Sequence, residues 1–137
     1  MYLADDVPTC LAEAFQDDRI INRRGSAPFL SGFVPTRTLD LLDLTDGWPL
    51  QVGAANAINA TDDKACTRQW ARAIRACFPH ADGLLHVSSM TGRPVVSLFN
   101  PAEDALPTAP AFSEPLASQA LTRALSDAAD QIGYLLV

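Results

Sequence analysis

The chain has 137 residues, of which 48% are hydrophobic and 19% charged, and its formal net charge is −6. This length suits one domain, and the apolar content disfavours an intrinsically disordered chain. The acidic balance disfavours direct nucleic-acid binding, which draws much of its affinity from basic charge. The sequence shows neither the run of roughly 18 apolar residues typical of a membrane span nor a signal-peptide pattern. A membrane role is therefore not expected, and the cytoplasm is the expected location.

The first part of the sequence predicts one short helix and two strands. An apolar stretch over residues 10–15 follows Pro8 and Thr9, which favours a helix with Thr9 as a candidate cap. The polar and basic residues 17–28 contain Gly and Pro and are a predicted loop. The two strands are predicted at residues 29–34 and 38–44.

The clearest pattern in the chain predicts a helix over residues 62–78. Asp62 and Asp63 stand at cap and first-turn positions, and Pro79 ends the helix. Apolar residues recur at helical spacing and predict a buried stripe. The stripe consists of Cys66, Trp70, Ile74, Cys77 and Phe78.

The rest of the chain predicts two strands at 83–87 and 94–99, then a proline-rich loop over 100–115. A helix is predicted over 116–132, ended by Gly133 and followed by a terminal strand at 134–137. Its expected buried residues are Leu116, Ala120, Leu121, Leu125 and Ala128. Because the strands cluster rather than alternate with helices, the order favours an α+β fold, a mixed sheet with flanking helices.

The cysteines and histidines do not form a recognisable metal motif. Cys10, Cys66 and Cys77 are an odd number without framework spacing, which argues against a secreted disulfide scaffold. There is no CxxC or HxxxH spacing, so a zinc site is not expected. Cys66 and Cys77 are instead interpreted as core residues of the predicted helix.

Six segments taken together resemble the RES-domain family, which is named for an Arg, a Glu and a Ser. They are Tyr2–Ala4, Leu11–Glu13, Leu42–Asp46, Thr67–Ile74, Asp82–Ser88 and Val95–Phe99. The resemblance covers residues 2–99 of a single expected domain over 1–137, with the predicted helix and strand of 116–137 beyond it. It implies a fold like that of ADP-ribosyltransferases. It also implies an NAD-degrading toxin of a bacterial toxin–antitoxin pair, acting as a glycohydrolase or phosphorylase with NAD as substrate rather than cofactor.

The resemblance also assigns roles to individual residues. Glu13 matches the family glutamate and Ser88 the family serine, so both are candidate catalytic residues, while Tyr2 matches the family tyrosine and would stack on nicotinamide or adenine. The chemistry of the reaction supports a catalytic role for Glu13, because breaking the N-glycosidic bond develops positive charge on the ribose, which a carboxylate stabilises. The alternatives from the residues alone are an exposed helix glutamate, a turn serine and a core aromatic ring.

Two further groups of residues have simpler interpretations. Arg19, Arg23 and Arg24 form the only basic concentration and could hold a pyrophosphate by bidentate contacts, although a solvated loop is the simpler interpretation. His86 is interpreted as a hydrogen-bonded structural histidine.

The sequence departs from the family pattern at the arginine, which in the family lies upstream of the tyrosine and has no counterpart before Tyr2. Two explanations stay open: a gene start placed too late, or a shortened descendant that no longer catalyses and instead binds a partner. The expected partner is the helix-turn-helix antitoxin with which such toxins pair. A shortened domain is expected to leave a sheet edge uncovered near Tyr2, and hence to self-associate unless a partner covers it.

Overall fold

The structure is a computed structural model that describes residues 1–51 and 64–137. The predicted helix start at Asp62 and Asp63 lies outside the described residues. Two short 3₁₀ helices occupy Asn100–Ala105 and Gln119–Leu121. The other elements are β1 Tyr2–Ala4, α1 Val7–Ala14, β2 Ile20–Ile21, β3 Phe29–Gly32, β4 Leu41–Asp43, α2 Trp48–Gln51, α3 Lys64–Cys77, β5 Gly83–Val87, β6 Pro94–Leu98, β7 Phe112–Pro115, α4 Thr122–Ile132 and β8 Leu135–Leu136.

A four-stranded mixed sheet in the order β1-β6-β5-β4 organises the described residues, which confirms the predicted α+β class. Strands β1 and β5 both run antiparallel to β6, while β4 is parallel to β5. Ser97 of β6 is opposite Tyr2 of β1 and Leu84 of β5. Paired residues share a face of the sheet, as do alternate residues of one strand, so Tyr2, Ser97 and His86 lie on the same face.

Two smaller sheets correct the predicted loops. Residues 17–28 contain β2, which pairs in parallel with β8, and residues 100–115 contain a 3₁₀ helix and β7, which pairs with β3. Each of these strands has two to four residues and a partner far along the chain. Local patterning has little to detect in so short a segment, so the loop predictions were wrong there.

The larger hydrophobic cluster joins α1 to α4. It consists of Leu11, Ile21, Leu116, Leu121, Leu125, Ala128 and Ala129. Gly133 ends α4 as predicted, with a left-handed φ of 70° that glycine adopts without steric cost. Ala120 is exposed, contrary to prediction, because residues 119–121 form a 3₁₀ turn and α4 begins only at Thr122.

A second cluster packs α3 against the sheet through Ile74, Leu44 and Leu84. The predicted buried stripe is only partly confirmed. Cys77 and Phe78 are exposed, because they stand at and just past the last residue of α3, beyond Ile74. The side chain of Cys66 is outside the described part of the chain. Within the described ranges, no helix is long and apolar enough to cross a membrane.

The residue that caps the N-terminus of α1 is not the predicted one. Asp6, rather than Thr9, is the N-cap, and its carboxylate accepts a hydrogen bond of 2.8 Å from the Thr9 N–H. Aspartate in this position satisfies one of the free N–H groups of the first turn. Pro8 lies within that first turn, where its missing N–H costs nothing.

A buried carboxylate fastens the segment before β4 to the sheet. Asp82, just before β5, receives two hydrogen bonds from the Arg37 guanidinium, at 2.7 and 2.8 Å, and one of 2.8 Å from the Asp40 N–H. Arg37 also contacts the exposed Asp104 at 2.6 Å. Only 2% of Asp82 is exposed.

Candidate active site

A carboxylate and a hydroxyl from distant parts of the sequence form a hydrogen bond in the structure. Glu13 lies in the last turn of α1, and Ser88 is the first residue after β5. The Ser88 hydroxyl donates a hydrogen bond of 2.5 Å to Oε1 of Glu13, although the two residues are 75 positions apart. This distance is at the short end of the range for a hydroxyl that donates to a carboxylate. The structure thus brings together the two residues predicted to be catalytic.

The turn after β5 fixes the direction of the Ser88 hydroxyl. Its oxygen accepts N–H bonds of 3.1 Å from both Met90 and Thr91, and the backbone is closed by a bond from the Gly92 N–H to the Ser88 carbonyl. With both acceptor positions used, the single hydroxyl proton is free to point only at Glu13. Ser88 is 3% exposed, so water does not compete for these bonds.

The same turn is attached to the first turn of α1. The Thr91 and Thr9 hydroxyls are hydrogen-bonded at 3.0 Å, and Arg93 forms an ion pair of 2.9 Å with Asp6. These contacts hold α1 beside the turn. The position of Glu13 relative to Ser88 is therefore set at both ends of the contact.

Tyr2 is the third member of the site. It lies on the edge strand β1 and is 40% exposed. Partial burial, followed by a hydrogen bond to Glu13 and the negative charge of that carboxylate, raises the pKa of Tyr2 far above its ordinary value of 10, with Ser88 acting weakly in the opposite direction. The phenol therefore stays protonated and neutral beside Glu13 at physiological pH, with part of its ring open to a ligand.

His86 borders this group on the same face of the sheet. Its ring meets that of Tyr2 edge-on, with centroids 5.7 Å apart. Nε2 lies 2.9 Å from the Ser97 hydroxyl and Nδ1 3.3 Å from the Val87 carbonyl. Because a carbonyl only accepts, the network assigns the proton to Nδ1, and Nε2 accepts from Ser97.

The environment of His86 favours its neutral form. Burial lowers its pKa below the ordinary 6.5, and this outweighs the opposite effects of the Val87 carbonyl and the Glu13 charge. The two hydrogen bonds agree with the sequence interpretation of His86 as a hydrogen-bonded structural histidine, although its contact with Tyr2 was not predicted. A signal was present in the sequence, because His86 lies two residues before the candidate Ser88, and alternate residues of a strand point to the same face.

The three arginines of the basic cluster are placed differently from one another. The Arg23 guanidinium donates to the carbonyls of Leu116 and Ser118 and to the Thr122 hydroxyl, at 2.8 to 3.0 Å, so it holds the segment before α4. Arg24 is exposed, and Arg19 lines a cavity beside α1. In the described ranges, no contact joins any of the three to Tyr2, Glu13 or Ser88. Their phosphate-binding role stays a prediction.

Comparison with known proteins gives one match. A family model described as RES domain matches residues 1–119, which include Tyr2, Glu13 and Ser88 and every strand except β8. No curated protein matches the chain, and no solved structure matches it.

Proposed function

Because the chain belongs to the RES-domain family, we propose that it cleaves NAD between nicotinamide and ribose, as a glycohydrolase or phosphorylase. The observation that supports this best is the Glu13–Ser88 hydrogen bond, with Tyr2 close enough for Glu13 to shift its pKa. Tyr2, Glu13 and Ser88, which match the family residues, thus lie close together although they come from separate parts of the chain.

Glu13 is the proposed catalytic residue. As the C–N bond breaks, its electron pair leaves with neutral nicotinamide and the ribose carbon becomes cationic. A carboxylate fixed beside that carbon lowers the energy of the cation. A water or phosphate oxygen then forms the new bond to carbon, and water passes its proton to Glu13 or to solvent.

Ser88 is proposed to orient Glu13. Since its proton is directed at Oε1, the hydrogen bond restrains the carboxylate to one orientation. A pre-oriented charge needs no reorganisation during the reaction, which is the source of its catalytic value.

Tyr2 is proposed to supply a flat surface for the nicotinamide or adenine ring. Its ring is partly exposed, and its edge-on contact with His86 restrains its orientation. Aromatic surfaces with fixed orientation bind planar ligands at small entropic cost.

The test is to incubate the purified protein with NAD, with and without inorganic phosphate, and to measure nicotinamide release. Glu13→Gln, which keeps the shape and removes the charge, is expected to lower the rate about 100-fold or more. Glu103→Gln is the matched control, since Glu103 is exposed on the 3₁₀ helix, and it is expected to keep the rate. Absence of release from folded wild-type protein under both conditions would refute catalysis and favour a non-catalytic, partner-binding domain.

The toxin role, the cytoplasm as place of action and a helix-turn-helix antitoxin as partner belong to the same proposal, and family membership is their support. Induced expression in bacteria is expected to deplete NAD and stop growth, whereas Glu13→Gln is expected to do neither. Co-expression of a helix-turn-helix protein encoded beside the gene is expected to restore growth and to co-purify with the chain. Growth arrest by the Glu13→Gln variant would contradict the proposal that the protein acts as a toxin by depleting NAD.

A further inference from the structure

The cavity beside α1 that Arg19 lines does not include Tyr2, Glu13 or Ser88 among its lining residues. It is bounded by α1, by the turn after β5 and by the C-terminal end of α4, and its volume is about 510 Å³. Its charged lining residues are Arg19 and Arg93, and none of its lining residues is acidic. The chain as a whole carries a net charge of −6, whereas both charged residues that line this cavity are basic.

The two arginines differ in how far they are neutralised. Arg93 is paired through Nε with Asp6 at 2.9 Å, and within the described residues its terminal nitrogens have no partner. The Arg19 guanidinium has no hydrogen bond or ion pair among the described residues. Both guanidinium groups border the same cavity, and a guanidinium without a full set of partners can form charge-assisted, bidentate contacts with an anion.

The backbone of Arg19 is held in a fixed and uncommon conformation. Its φ of 56° lies in the left-handed region, which non-glycine residues rarely adopt. Two backbone bonds maintain it, from the Arg19 N–H to the Phe15 carbonyl at 2.9 Å and from the Leu135 N–H to the Arg19 carbonyl at 3.1 Å. Strain maintained by surrounding structure is a feature of functional positions.

From this cavity we infer a binding site for a phosphate-class oxyanion, with Arg19 and Arg93 supplying charge and the Gln131 amide supplying a neutral donor. Bidentate contact with two guanidinium groups matches the geometry of a phosphate.

The site is coupled to the Glu13–Ser88 pair through the turn that both share. Thr91 lines the cavity, while its N–H is one of the two donors that orient the Ser88 hydroxyl. An anion that draws on Arg93 or Thr91 therefore also acts on the hydroxyl that holds Glu13. This coupling rests on the proposed function, whereas anion binding itself does not.

The test compares thermal unfolding of the full chain in sodium phosphate and in sodium chloride of matched ionic strength. Phosphate is expected to raise the melting temperature saturably, since a ligand bound only by the folded state stabilises it. Arg19→Gln keeps the backbone bonds and is expected to weaken phosphate binding about tenfold, the effect of one charge-assisted hydrogen bond. Arg123→Gln is the control, because Arg123 is 94% exposed on α4, and it is expected to keep wild-type affinity.

Two results would overturn the inference: an equal response of the wild type to chloride, or wild-type phosphate affinity in Arg19→Gln. Backbone NMR gives a second readout, in which phosphate is expected to shift the Ser88 and Thr91 amide signals in the wild type and not in Arg19→Gln. Titration with ADP then distinguishes a nucleotide phosphate from free phosphate as the ligand of this site. Competition between ADP and phosphate assigns the site to a nucleotide phosphate, and simultaneous binding assigns it to free phosphate. Each of these readouts is independent of NAD cleavage, so failure of the proposed function would leave them interpretable.

Discussion

Asp82 connects β5 to the segment before β4 through a single buried carboxylate, and its loss should be costly. Asp82→Asn keeps the volume but removes the charge that receives two guanidinium bonds, so we expect the free energy of unfolding to fall by about 2 kcal/mol. Asp104→Asn is the matched control, because Asp104 contacts the same Arg37 from an exposed position, and should cost less than about 1 kcal/mol. Urea unfolding at neutral pH measures both. Equal losses in the two variants would contradict a special role for the buried partner.

The Asp82 contribution should also depend on pH. Hydrogen bonds from Arg37 and then from the Asp40 N–H lower the pKa of Asp82 to about 2, from the ordinary 3.8. A carboxyl group whose pKa is lower in the folded state stabilises fully above the unfolded value, and that stability disappears as the pH falls from 3.8 towards 2. The Asp82→Asn variant should therefore differ most from the wild type at neutral pH and converge with it in acid.

His86 should produce a second pH dependence, in a different range. Its pKa is lowered by burial, so the unfolded chain binds a proton at a pH where the folded chain does not. Stability is then complete above 6.5 and falls as the pH drops below that value. We expect His86→Gln to remove this slope in urea unfolding and His80→Gln, at an exposed position, to retain it. A wild-type NMR titration of His86 with a midpoint at or above 6.5 would refute the prediction.

At single positions, the sequence identified residues by chemistry and by family resemblance, but not by contact. Tyr2, Glu13 and Ser88 could be selected because a glycosidic cation needs a carboxylate and because their segments resemble the family. Their convergence depends on the pairing of β1 with β6 and on the docking of α1 against the turn after β5. Those are long-range contacts that no local pattern contains. The ring contact of His86 with Tyr2 was not predicted for the same reason, because the two residues are 84 positions apart in the sequence.

Among the elements, the two long helices were predicted, whereas two of the short strands were not. The 14-residue helix α3 and the 11-residue helix α4 have periodic apolar residues and were predicted, whereas β2 has two residues and β7 four. So short a strand is defined by its partner rather than by its own sequence. Helix ends were predicted where a specific residue marks them, as Gly133 does for α4.

The turn after β5 depends on Gly92, which has a φ of 70°. Gly92→Ala should destabilise the chain by about 1 kcal/mol, because an L residue is strained there although an added Cβ would meet no atom within 4 Å. Gly47→Ala is the matched control, since its added Cβ also meets nothing and its φ is not left-handed, and it should be close to neutral. Chemical denaturation measures both effects. If nicotinamide release is found, Gly92→Ala should lower it and Gly47→Ala should not, since only the first disturbs Ser88.

On the scale of the whole molecule, a large apolar cleft opens beside the edge strand β1. Its volume is about 790 Å³, it lies between the sheet and the β3–β7 pair, and Phe29 on its wall is 58% exposed. An open cleft next to the edge strand of a sheet favours association between chains. We therefore expect light scattering to show a mass that rises with protein concentration. Phe29→Lys should reduce this rise, whereas Val34→Lys, at a position 67% exposed that does not line the cleft, should reduce it less. A monomer at all concentrations would refute the prediction.

The core that supports Glu13 also has a consequence for the order of events during synthesis. Helix α1 is packed by Leu121 and Leu125, and β2 is paired by β8, so the early part of the chain is completed by some of its last residues. On the ribosome, α1 would emerge long before these partners, when its earlier partners are β1, Ile21 and later the turn after β5. Eight residues is too short for an isolated helix to be stable in water. Helix α1 should therefore reach its full stability, and Glu13 its final position, only after Leu125 has left the exit tunnel.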